Sequence, residues 1–367
     1  MEKFEFVCPT HIYFEEDGVS RIGELLREHG FANVYLVMGG KSLKNNGTYD
    51  KIVSSLLRYE VSYREYGGIE ANPDISDVRK IVKELKEEKP DCILAAGGGS
   101  VLDASKCAAH GYYYDGDPLD FNKHVAKPEK ALPVVTILTL AASGSEMSDS
   151  CVISDRSTDF KLGFNSVTNY PYFSLMDPRL TLTVPPYQVG IGLADMFSHS
   201  FERLLSPSHD LEPCDDLALG ILSSIVKVSK EVLSKPNSIE ARRAMMICGS
   251  LAHNGITSYG KTKSMPIHAA EHLLSARYPS LAHGQGIALL MEEQIRLNGD
   301  VYKDKLLAMG KVVFGIDNPT LEEVREAFHS WILSLPIAHG FDELPFTIKE
   351  EDIKESRQVL IDKAPRR

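Results

Sequence analysis

In the first half of the chain, short apolar runs alternate with segments in which apolar residues recur every three or four positions. ANVYLVMGG (32–40) and DCILAAGGGS (91–100) are buried-strand patterns that break into glycines. ALPVVTILTLAASGSE (131–146) repeats this arrangement with a loop of small residues. SDVRKIVKELKEEKP (76–90) has helical spacing and ends at a proline. The alternation predicts a doubly wound, mostly parallel α/β sheet.

The pattern changes near TLTVPPYQVG (181–190). Beyond it, the long segments have the periodicity of helices and strand patterns nearly disappear. These segments are LALGILSSIVKVSKEVLS, IEARRAMMICGSLAHNGI, MPIHAAEHLLSARY and LEEVREAFHSWILSLP. We therefore predict an α/β domain over residues 1–183 and an all-helical domain over residues 184–367, a division that suits a chain of 367 residues.

Composition narrows the class of protein. Apolar residues make up 43% of the chain and charged residues 25%, as in ordinary globular proteins, and the net charge of −11 does not favour nucleic-acid binding. The N-terminus lacks the apolar segment of a secretory signal, and no run reaches the roughly 18 apolar residues of a membrane span. Six cysteines are scattered singly, which suits a reducing compartment. We expect a cytoplasmic enzyme that binds neither nucleic acid nor membrane.

GGGSVLDASK (97–106) follows a predicted strand and opens a predicted helix. Glycines let the backbone approach a ligand closely, and a helix N-terminus offers free N–H donors, so this segment favours a diphosphate. It is not the G-x-G-x-x-G dinucleotide fingerprint. The alternative is a glycine turn with Ser100 as the N-cap and Asp103 as its capping-box partner. Both interpretations can hold together, because a capped helix still binds phosphate.

A second glycine loop, VMGGKSLKNNG (37–47), also follows a predicted strand. In dinucleotide sites an acidic residue after the second strand usually binds the ribose 2′-hydroxyl. Here that place holds Gly39, Gly40, Lys41 and Ser42, without an acid. Small residues beside a lysine would admit a 2′-phosphate, which favours NADP over NAD, while an ordinary polar turn is the alternative.

Aspartate and histidine residues in the second half form pairs at helical spacing. Asp195 and His199 are four residues apart in GLADMFSHSFE, as are His268 and His272 in HAAEH, so each pair shares a helix face. His283 precedes a glycine in LAHGQG, at a predicted loop or helix start. Aspartate with three histidines suits Fe²⁺ or Zn²⁺. Spacing alone leaves open which of His268 and His272 is a ligand, and each residue taken singly could be structural.

HAAEH (268–272) also matches the H-x-x-E-H pattern of inverted zinc peptidases. A peptidase would need a further downstream ligand, for which Glu292 and Glu293 are candidates. That interpretation leaves both glycine loops and the Asp195/His199 pair without a role. A metal-dependent hydrolase is therefore the weaker hypothesis, and a nucleotide-binding protein with a non-catalytic metal site is a third.

Taken together, GGGSVLDASK, TLAASGSEMS, GLADMFSH and HAAEHLLSARYPSLAHG resemble the iron-containing (group III) alcohol dehydrogenases, over about residues 30–290. The similar subgroup is the NADPH-dependent, butanol dehydrogenase-like aldehyde reductases. The resemblance implies the fold of dehydroquinate synthase and these dehydrogenases: an α/β dinucleotide-binding domain, a helical metal-binding and substrate domain, and a cofactor cleft between them. It also implies a homodimer.

The resemblance assigns roles to individual residues. The implied metal ligands are Asp195, His199, His268 and His283, and His272 is the implied non-ligand histidine near the nicotinamide, a candidate catalytic proton relay. Gly98, Gly99 and Ser100 match the diphosphate loop. The further candidate dinucleotide-binding residues are Gly39, Gly40, Ser42, Asn72, Asp103, Thr139, Ser143 and Lys161.

This chain departs from the family pattern in three places. The segment from His272 to His283 is about one residue longer, with Arg277 and Pro279 inside it, and this could shift His283. The chain ends at IDKAPRR, short of the extra C-terminal helix of many relatives. TLAASGS replaces a more threonine-rich loop.

The expected chemistry is hydride transfer between NADP(H), with NAD(H) as the alternative, and a small aldehyde or primary alcohol. A divalent metal would act as a Lewis acid on the substrate oxygen. His272 would relay the alcohol proton to solvent, or else orient a ligand as a neutral donor. Glu271 is expected to have no chemical role.

Overall fold

The structure, a computed structural model, describes residues 5–207, 213–261 and 264–365. The chain divides into two compact units. The first spans Val7–Thr183, and the second begins at Val184 and also takes in Glu5 and Phe6.

The first unit is an α/β unit built on a six-stranded sheet. In chain order its strands are β1 (His11–Phe14), β2 (Asn33–Met38), β3 (Ser62–Tyr66), β4 (Cys92–Gly97), β5 (Val134–Leu138), β6 (Ser150–Asp155), β7 (Phe160–Asn165) and β8 (Phe173–Met176). Its helices are α1 (Ile22–Glu28), α2 (Ser42–Asn45), α3 (Thr48–Arg58), α4 (Ile75–Glu88), α5 (Gly99–Gly111) and α6 (Leu119–Asn122). The sheet order is β1-β8-β5-β4-β2-β3 with every neighbouring pair parallel, while β6 and β7 form a separate antiparallel pair.

Both faces of the six-stranded sheet are covered. Leu36, Leu94 and Ile137 belong to one buried cluster with apolar side chains of α1 and α3. Tyr35 is adjacent to Leu36 in β2 and therefore points to the opposite face of the sheet. Its hydroxyl donates a hydrogen bond of 2.5 Å to Glu84 of α4, so α4 covers that face. Burial on both faces explains why these strands are continuous apolar runs. The predicted parallel α/β fold is confirmed.

The sheet order changes direction at β2. β3 pairs with one side of β2, and β4 pairs with its other side, with Met38 opposite Ala96 at the last register position. Ligands of open parallel sheets bind beyond the carboxyl ends of the strands where the order reverses. The two glycine loops therefore leave neighbouring strands at the place where this fold binds ligands.

The second unit is helical in its described part, which contains no strand. Its helices are α7 (Pro186–Leu205), α8 (Pro213–Ser234), α9 (Ile239–His253), α10 (Pro266–Arg277), α11 (His283–Asn298), α12 (Lys303–Val313), α13 (Leu321–Leu333) and α14 (Glu350–Asp362). α7 is buried along most of its length and packs against α8, α9 and α11, which makes it the central helix. The predicted helical region is confirmed. Among the described helices, none has both the length and the apolar character needed to cross a bilayer.

Candidate metal and dinucleotide sites

Four side chains from three helices converge in the helical unit. Asp195 and His199 are one turn apart on α7, His268 is the third residue of α10, and His283 is the first residue of α11. The Nε2 atoms of His199 and His268 each lie 3.8 Å from Asp195 Oδ1, and Nε2 of His283 lies 3.7 Å from the same oxygen. Asp195, His199 and His268 are buried, and His283 is partly exposed. The four residues predicted as metal ligands therefore lie in one cluster.

A glycine lets α11 approach α7. A Cβ atom on Gly284 would lie only 2.2 Å from the carbonyl oxygen of Ile191, so no larger residue fits without moving a backbone. This contact brings the first turn of α11, and with it His283, against the helix that carries Asp195. The longer segment between His272 and His283 does not displace His283, whose distance to Asp195 Oδ1 matches those of the other two histidines.

Two buried glutamates are hydrogen-bonded to the Nδ1 atoms of two of these histidines. Glu202 Oε2 accepts a hydrogen bond from His268 Nδ1, and Glu271 Oε2 accepts one from His283 Nδ1. A carboxylate can only accept, so each Nδ1 carries the proton, and in the neutral ring the lone pair is on Nε2. Glu271, for which the sequence predicted no chemical role, is fully buried and hydrogen-bonded to a predicted ligand. Glu202 was not predicted from the sequence.

A sequence signal for Glu202 was present. It lies seven residues after Asp195 and three after His199, which places all three on one face of α7. No comparable signal pairs Glu271 with His283, because they lie on different helices.

The donor set fits a divalent ion. Burial holds the pKa of His199 well below its ordinary value, so this imidazole is neutral and able to ligate. Burial also opposes protonation of His268, but the Glu202 carboxylate outweighs it and raises the pKa of His268. His268 Nε2 is buried and has no hydrogen-bond partner among the described residues. Such atoms are rare in folded proteins, and a cation shared with Asp195 accounts for this one. Three imidazoles and a carboxylate suit Fe²⁺ or Zn²⁺.

His272 lies beside this cluster. Its ring centroid is 6.4 Å from that of His268 and 5.5 Å from that of His283. It offers a ring nitrogen within 4.8 Å of ligand atoms of Glu271 and His283, and its side chain is partly exposed. His272 is therefore next to the predicted ligands and within reach of solvent, as a proton relay requires.

In the α/β unit, α5 begins directly after β4. Its N-cap is Gly98, which makes no side-chain capping hydrogen bond. The alternative of a Ser100–Asp103 capping box is therefore wrong: Ser100 lies inside the helix, and Asp103 accepts hydrogen bonds from Ser145 Oγ (2.6 Å) and Val152 N (2.9 Å). The first turn of α5 thus lacks a side-chain cap, which leaves its N–H groups to a ligand.

Lys106 lies one turn after Asp103 on α5 and binds the loop that follows β5. Lys106 is fully buried, and its ammonium donates to Ser145 O (2.7 Å), Ser145 Oγ (2.8 Å), Ser148 O (3.1 Å) and Ser150 O (3.0 Å). Burial lowers the pKa of Lys106. Lys106 was not predicted from the sequence, although the D-x-x-K pair in a helix of otherwise mostly small and apolar residues was a signal.

The same loop lies against the glycine loop. A Cβ atom on Gly99 would lie 2.3 Å from Ser143 Oγ, and Thr139 N donates a 3.0 Å hydrogen bond to Gly97 O. The loop after β2 is adjacent, because a Cβ on Gly39 would meet a methyl group of Val101 at 3.5 Å. The glycine loop after β4 is thus bordered by the loops after β5 and β2.

The remaining predicted dinucleotide residues occupy two places. Lys161 Nζ donates a 2.8 Å hydrogen bond to Asn72 Oδ1, and both residues are buried. Asn72 has a φ of +53°, a left-handed conformation that asparagine tolerates better than most residues. Gly40, Lys41 and Ser42 are exposed after β2.

This chain is similar to known proteins along most of its length. Residues 9–178 match the family model described as iron-containing alcohol dehydrogenase, and residues 191–365 match the C-terminal model of the same family. NADH-dependent butanol dehydrogenase A of Clostridium acetobutylicum is 37% identical over 366 residues, covering 95% of this chain and 93% of that protein. NADPH-dependent aldehyde reductase YqhD of Escherichia coli is 32% identical over 326 residues, covering 88% and 83%.

Solved structures give the same result. NADH-dependent butanol dehydrogenase A of Thermotoga maritima superimposes with a TM-score of 0.92 at 32% identity, covering 99% of this chain and 92% of that one. The prediction of an NAD(P)-dependent oxidoreductase is confirmed, and neither the hydrolase nor the non-catalytic alternative is supported. The family models together span most of the sequence, and the relatives exceed 30% identity along nearly all of it, so this protein belongs to the iron-containing alcohol dehydrogenase family.

Proposed function

We propose that this protein is a metal-dependent aldehyde reductase that prefers NADPH and also oxidises small primary alcohols. In this proposal residues 1–183 bind the dinucleotide, and residues 184–367 hold the metal and the substrate. The observation that supports it best is the approach of three histidine Nε2 atoms to one oxygen of Asp195.

When bound, a divalent metal supplies Lewis acidity toward a carbonyl or hydroxyl oxygen, and the nicotinamide exchanges a hydride with the substrate carbon. The chain supplies the ligands, Asp195, His199, His268 and His283, on helices whose packing holds them in reacting geometry. His272, partly exposed beside them, moves the alcohol proton between substrate and solvent.

The first experiment measures NADPH oxidation with butanal as the substrate. The full-length protein is stripped of metal, and Fe²⁺, Zn²⁺ or Mg²⁺ is added back separately. We expect Fe²⁺ or Zn²⁺ to restore oxidation and Mg²⁺ to leave it low, because Mg²⁺ prefers oxygen ligands. If neither Fe²⁺ nor Zn²⁺ restores oxidation although NADPH binds tightly, the proposed reaction is wrong for this class of substrate.

The preference for NADPH is supported by the loop after β2. Residues 39–42 lack a carboxylate and expose Lys41, which suits a 2′-phosphate. Named relatives do not decide the question, because some are NADH-dependent and others NADPH-dependent. A Cβ atom on Gly40 would meet nothing within 4 Å, so a side chain can be introduced there without a clash.

Gly40→Asp therefore tests the preference. We expect the ratio of kcat/KM for NADPH over NADH to fall at least about tenfold, because a carboxylate repels a 2′-phosphate and binds a ribose 2′-hydroxyl. Gly40→Asn is the matched control, since it has nearly the same shape without the charge. Equal ratios in the wild type and both variants would show that this loop does not select the cofactor.

We also propose that the enzyme acts in the cytoplasm as a homodimer. None of the six cysteines, all of which lie in the described residues, forms a disulfide, and this supports a reducing compartment. Light scattering on the purified protein tests the second part, with twice the mass of one chain as the expected result.

A further inference from the structure

We propose that Glu202 and Glu271 are positioning residues of the metal centre, each holding one metal-facing histidine in the Nδ1–H tautomer. The inference rests on the proposed function, because it concerns the same metal. It extends that function to two carboxylates that touch neither the substrate nor the ion. The glutamate of HAAEH thereby has a role that a zinc peptidase would not give it.

Glu202 joins two helices at the histidine. Its side chain has no exposed surface. Oε1 accepts a 2.5 Å hydrogen bond from the backbone N–H of Ile267 in the first turn of α10, and Oε2 accepts from Nδ1 of His268, the next residue. One carboxylate therefore caps α10 and orients the ring of its histidine at the same time. The free lone pair of the neutral ring is left on Nε2, which lies 3.8 Å from Asp195 Oδ1.

Glu271 does the same across another pair of helices. It extends from α10 to Nδ1 of His283 at the start of α11, and it is fully buried. A Cβ atom on Gly286 would lie 2.8 Å from Glu271 Cγ and 3.4 Å from Oε1. The second glycine of HGQG therefore leaves the space that this carboxylate occupies.

The third histidine lacks such a carboxylate. Among the described residues, Nδ1 of His199 has no hydrogen-bond partner, and its ring packs edge-on against His253 with centroids 4.0 Å apart. His199 is one turn from Asp195 on the same helix, so helix geometry alone sets their distance. Carboxylates orient the two histidines that reach Asp195 from other helices.

Charge also favours a role in metal binding. Burying carboxylates in a protein interior is costly unless positive charge offsets them. Asp195, Glu202 and Glu271 are all buried around three imidazoles. A divalent cation offsets this negative charge, and hydrogen bonds from the histidines to carboxylates increase the basicity of the ligand nitrogens.

The test compares metal affinity with the stability of the metal-free protein. Glu202→Gln and Glu271→Gln are made in the full chain, and Zn²⁺ affinity is measured by competition with a chelator. We expect each substitution to weaken Zn²⁺ binding about 10- to 100-fold. For Glu271→Gln we expect the metal-free protein to unfold at the same temperature or higher, because a buried charge is removed. Lower stability with unchanged Zn²⁺ affinity would show a purely structural role and overturn the inference.

Gly286→Ala is a second variant that keeps every charge. The added methyl group displaces the Glu271 side chain, so Zn²⁺ binding is expected to weaken in the same direction. Gly220→Ala on α8 is the matched control, because a Cβ atom there would meet nothing within 4 Å. Zn²⁺ affinity that is equal in Gly286→Ala and Gly220→Ala would count against the role of Glu271.

His268→Ala separates this inference from the proposed function. If His268→Ala binds Zn²⁺ as tightly as the wild type, the metal site itself is wrong. If His268→Ala loses Zn²⁺ while both glutamine variants bind it normally, only the role of the two glutamates is overturned.

Discussion

The two candidate sites are built from different parts of the chain. The candidate dinucleotide loop consists of main chain: Gly97, Gly98 and Gly99 are consecutive, and α5 starts within them. The candidate metal site consists of side chains that come from α7, α10 and α11 and span residues 195–283. The first site is therefore sensitive to a Cβ atom added at any of these glycines. The second depends on individual nitrogen and oxygen atoms.

Both sites nevertheless have charged residues behind the groups that face a ligand, all of them buried except Asp103, which is partly buried. Asp103 and Lys106 hold the loop after β5 against α5. Glu202 and Glu271 hold the histidines. Buried charges of this kind are stable only with partners, so each pair ties its site to one arrangement of the surrounding elements. The following predictions test whether the two sites behave independently.

The largest effect is expected from the histidines of HAAEH. His268→Ala should lose metal and activity together, with kcat/KM falling about a thousandfold or more, since Lewis-acid stabilisation is worth several kcal/mol. His272→Ala should keep the metal and lose rate by about a hundredfold, the lower range for a proton-transfer group. Metal content by mass spectrometry and NADPH oxidation with butanal measure both. Full metal content and full activity in both variants would refute the assignment.

Removal of the buried ammonium should destabilise the α/β unit. Lys106→Met leaves the oxygens of Ser145, Ser148 and Ser150 without their donor, so we expect a loss of about 3 kcal/mol in the free energy of unfolding. Denaturant unfolding followed by circular dichroism measures it, with the exposed Lys83→Met on α4 as the control. Zn²⁺ affinity should stay at the wild-type value. Equal unfolding midpoints for the two variants would contradict a stabilising role for Lys106.

We expect a bound metal ion to stabilise the protein against unfolding, because its predicted ligands lie on three helices of the helical unit. Zn²⁺ at about 100 times its dissociation constant is expected to add about 2.7 kcal/mol to the free energy of unfolding. Asp195→Asn removes the negative charge of the carboxylate that the three Nε2 atoms approach, and it should abolish most of this gain. Thermal unfolding with and without Zn²⁺ is the measurement. The same gain in wild type and variant would place the bound ion elsewhere.

The smallest effect concerns the glycine loop. Gly99→Ala should weaken NADPH binding about tenfold, or about 1.4 kcal/mol, because the new methyl group meets Ser143. The double variant with Ser143→Gly removes the atoms that clash and should restore part of the affinity. Fluorescence titration with NADPH measures both, and Zn²⁺ affinity serves as the internal control. Wild-type affinity in Gly99→Ala would mean that this loop is not tightly packed in solution.

Local patterns predicted the elements well. The apolar runs that precede glycines or small residues correspond to β2, β4 and β5. Segments with helical periodicity correspond to α4, α7 and α10. A local pattern was misleading where a side chain had two possible sets of hydrogen-bond partners. Ser100 and Asp103 have the spacing of a capping box, but Asp103 instead bonds to Ser145 and Val152, far away in sequence. Tertiary hydrogen bonds of a partly buried carboxylate outweigh a local cap that solvent can replace.

The sequence alone determined what depends on neighbours along the chain. It determined the order of strands and helices, the glycine loop ahead of a helix, and the pairing of Asp195 with His199, because helical and strand periods act over a few residues. Only the tertiary structure decided that His268 faces Asp195, that His272 lies beside the site, and that Glu271 reaches His283. These outcomes depend on how closely α7, α10 and α11 pack, which contacts such as that of Gly284 with Ile191 control and no single segment encodes.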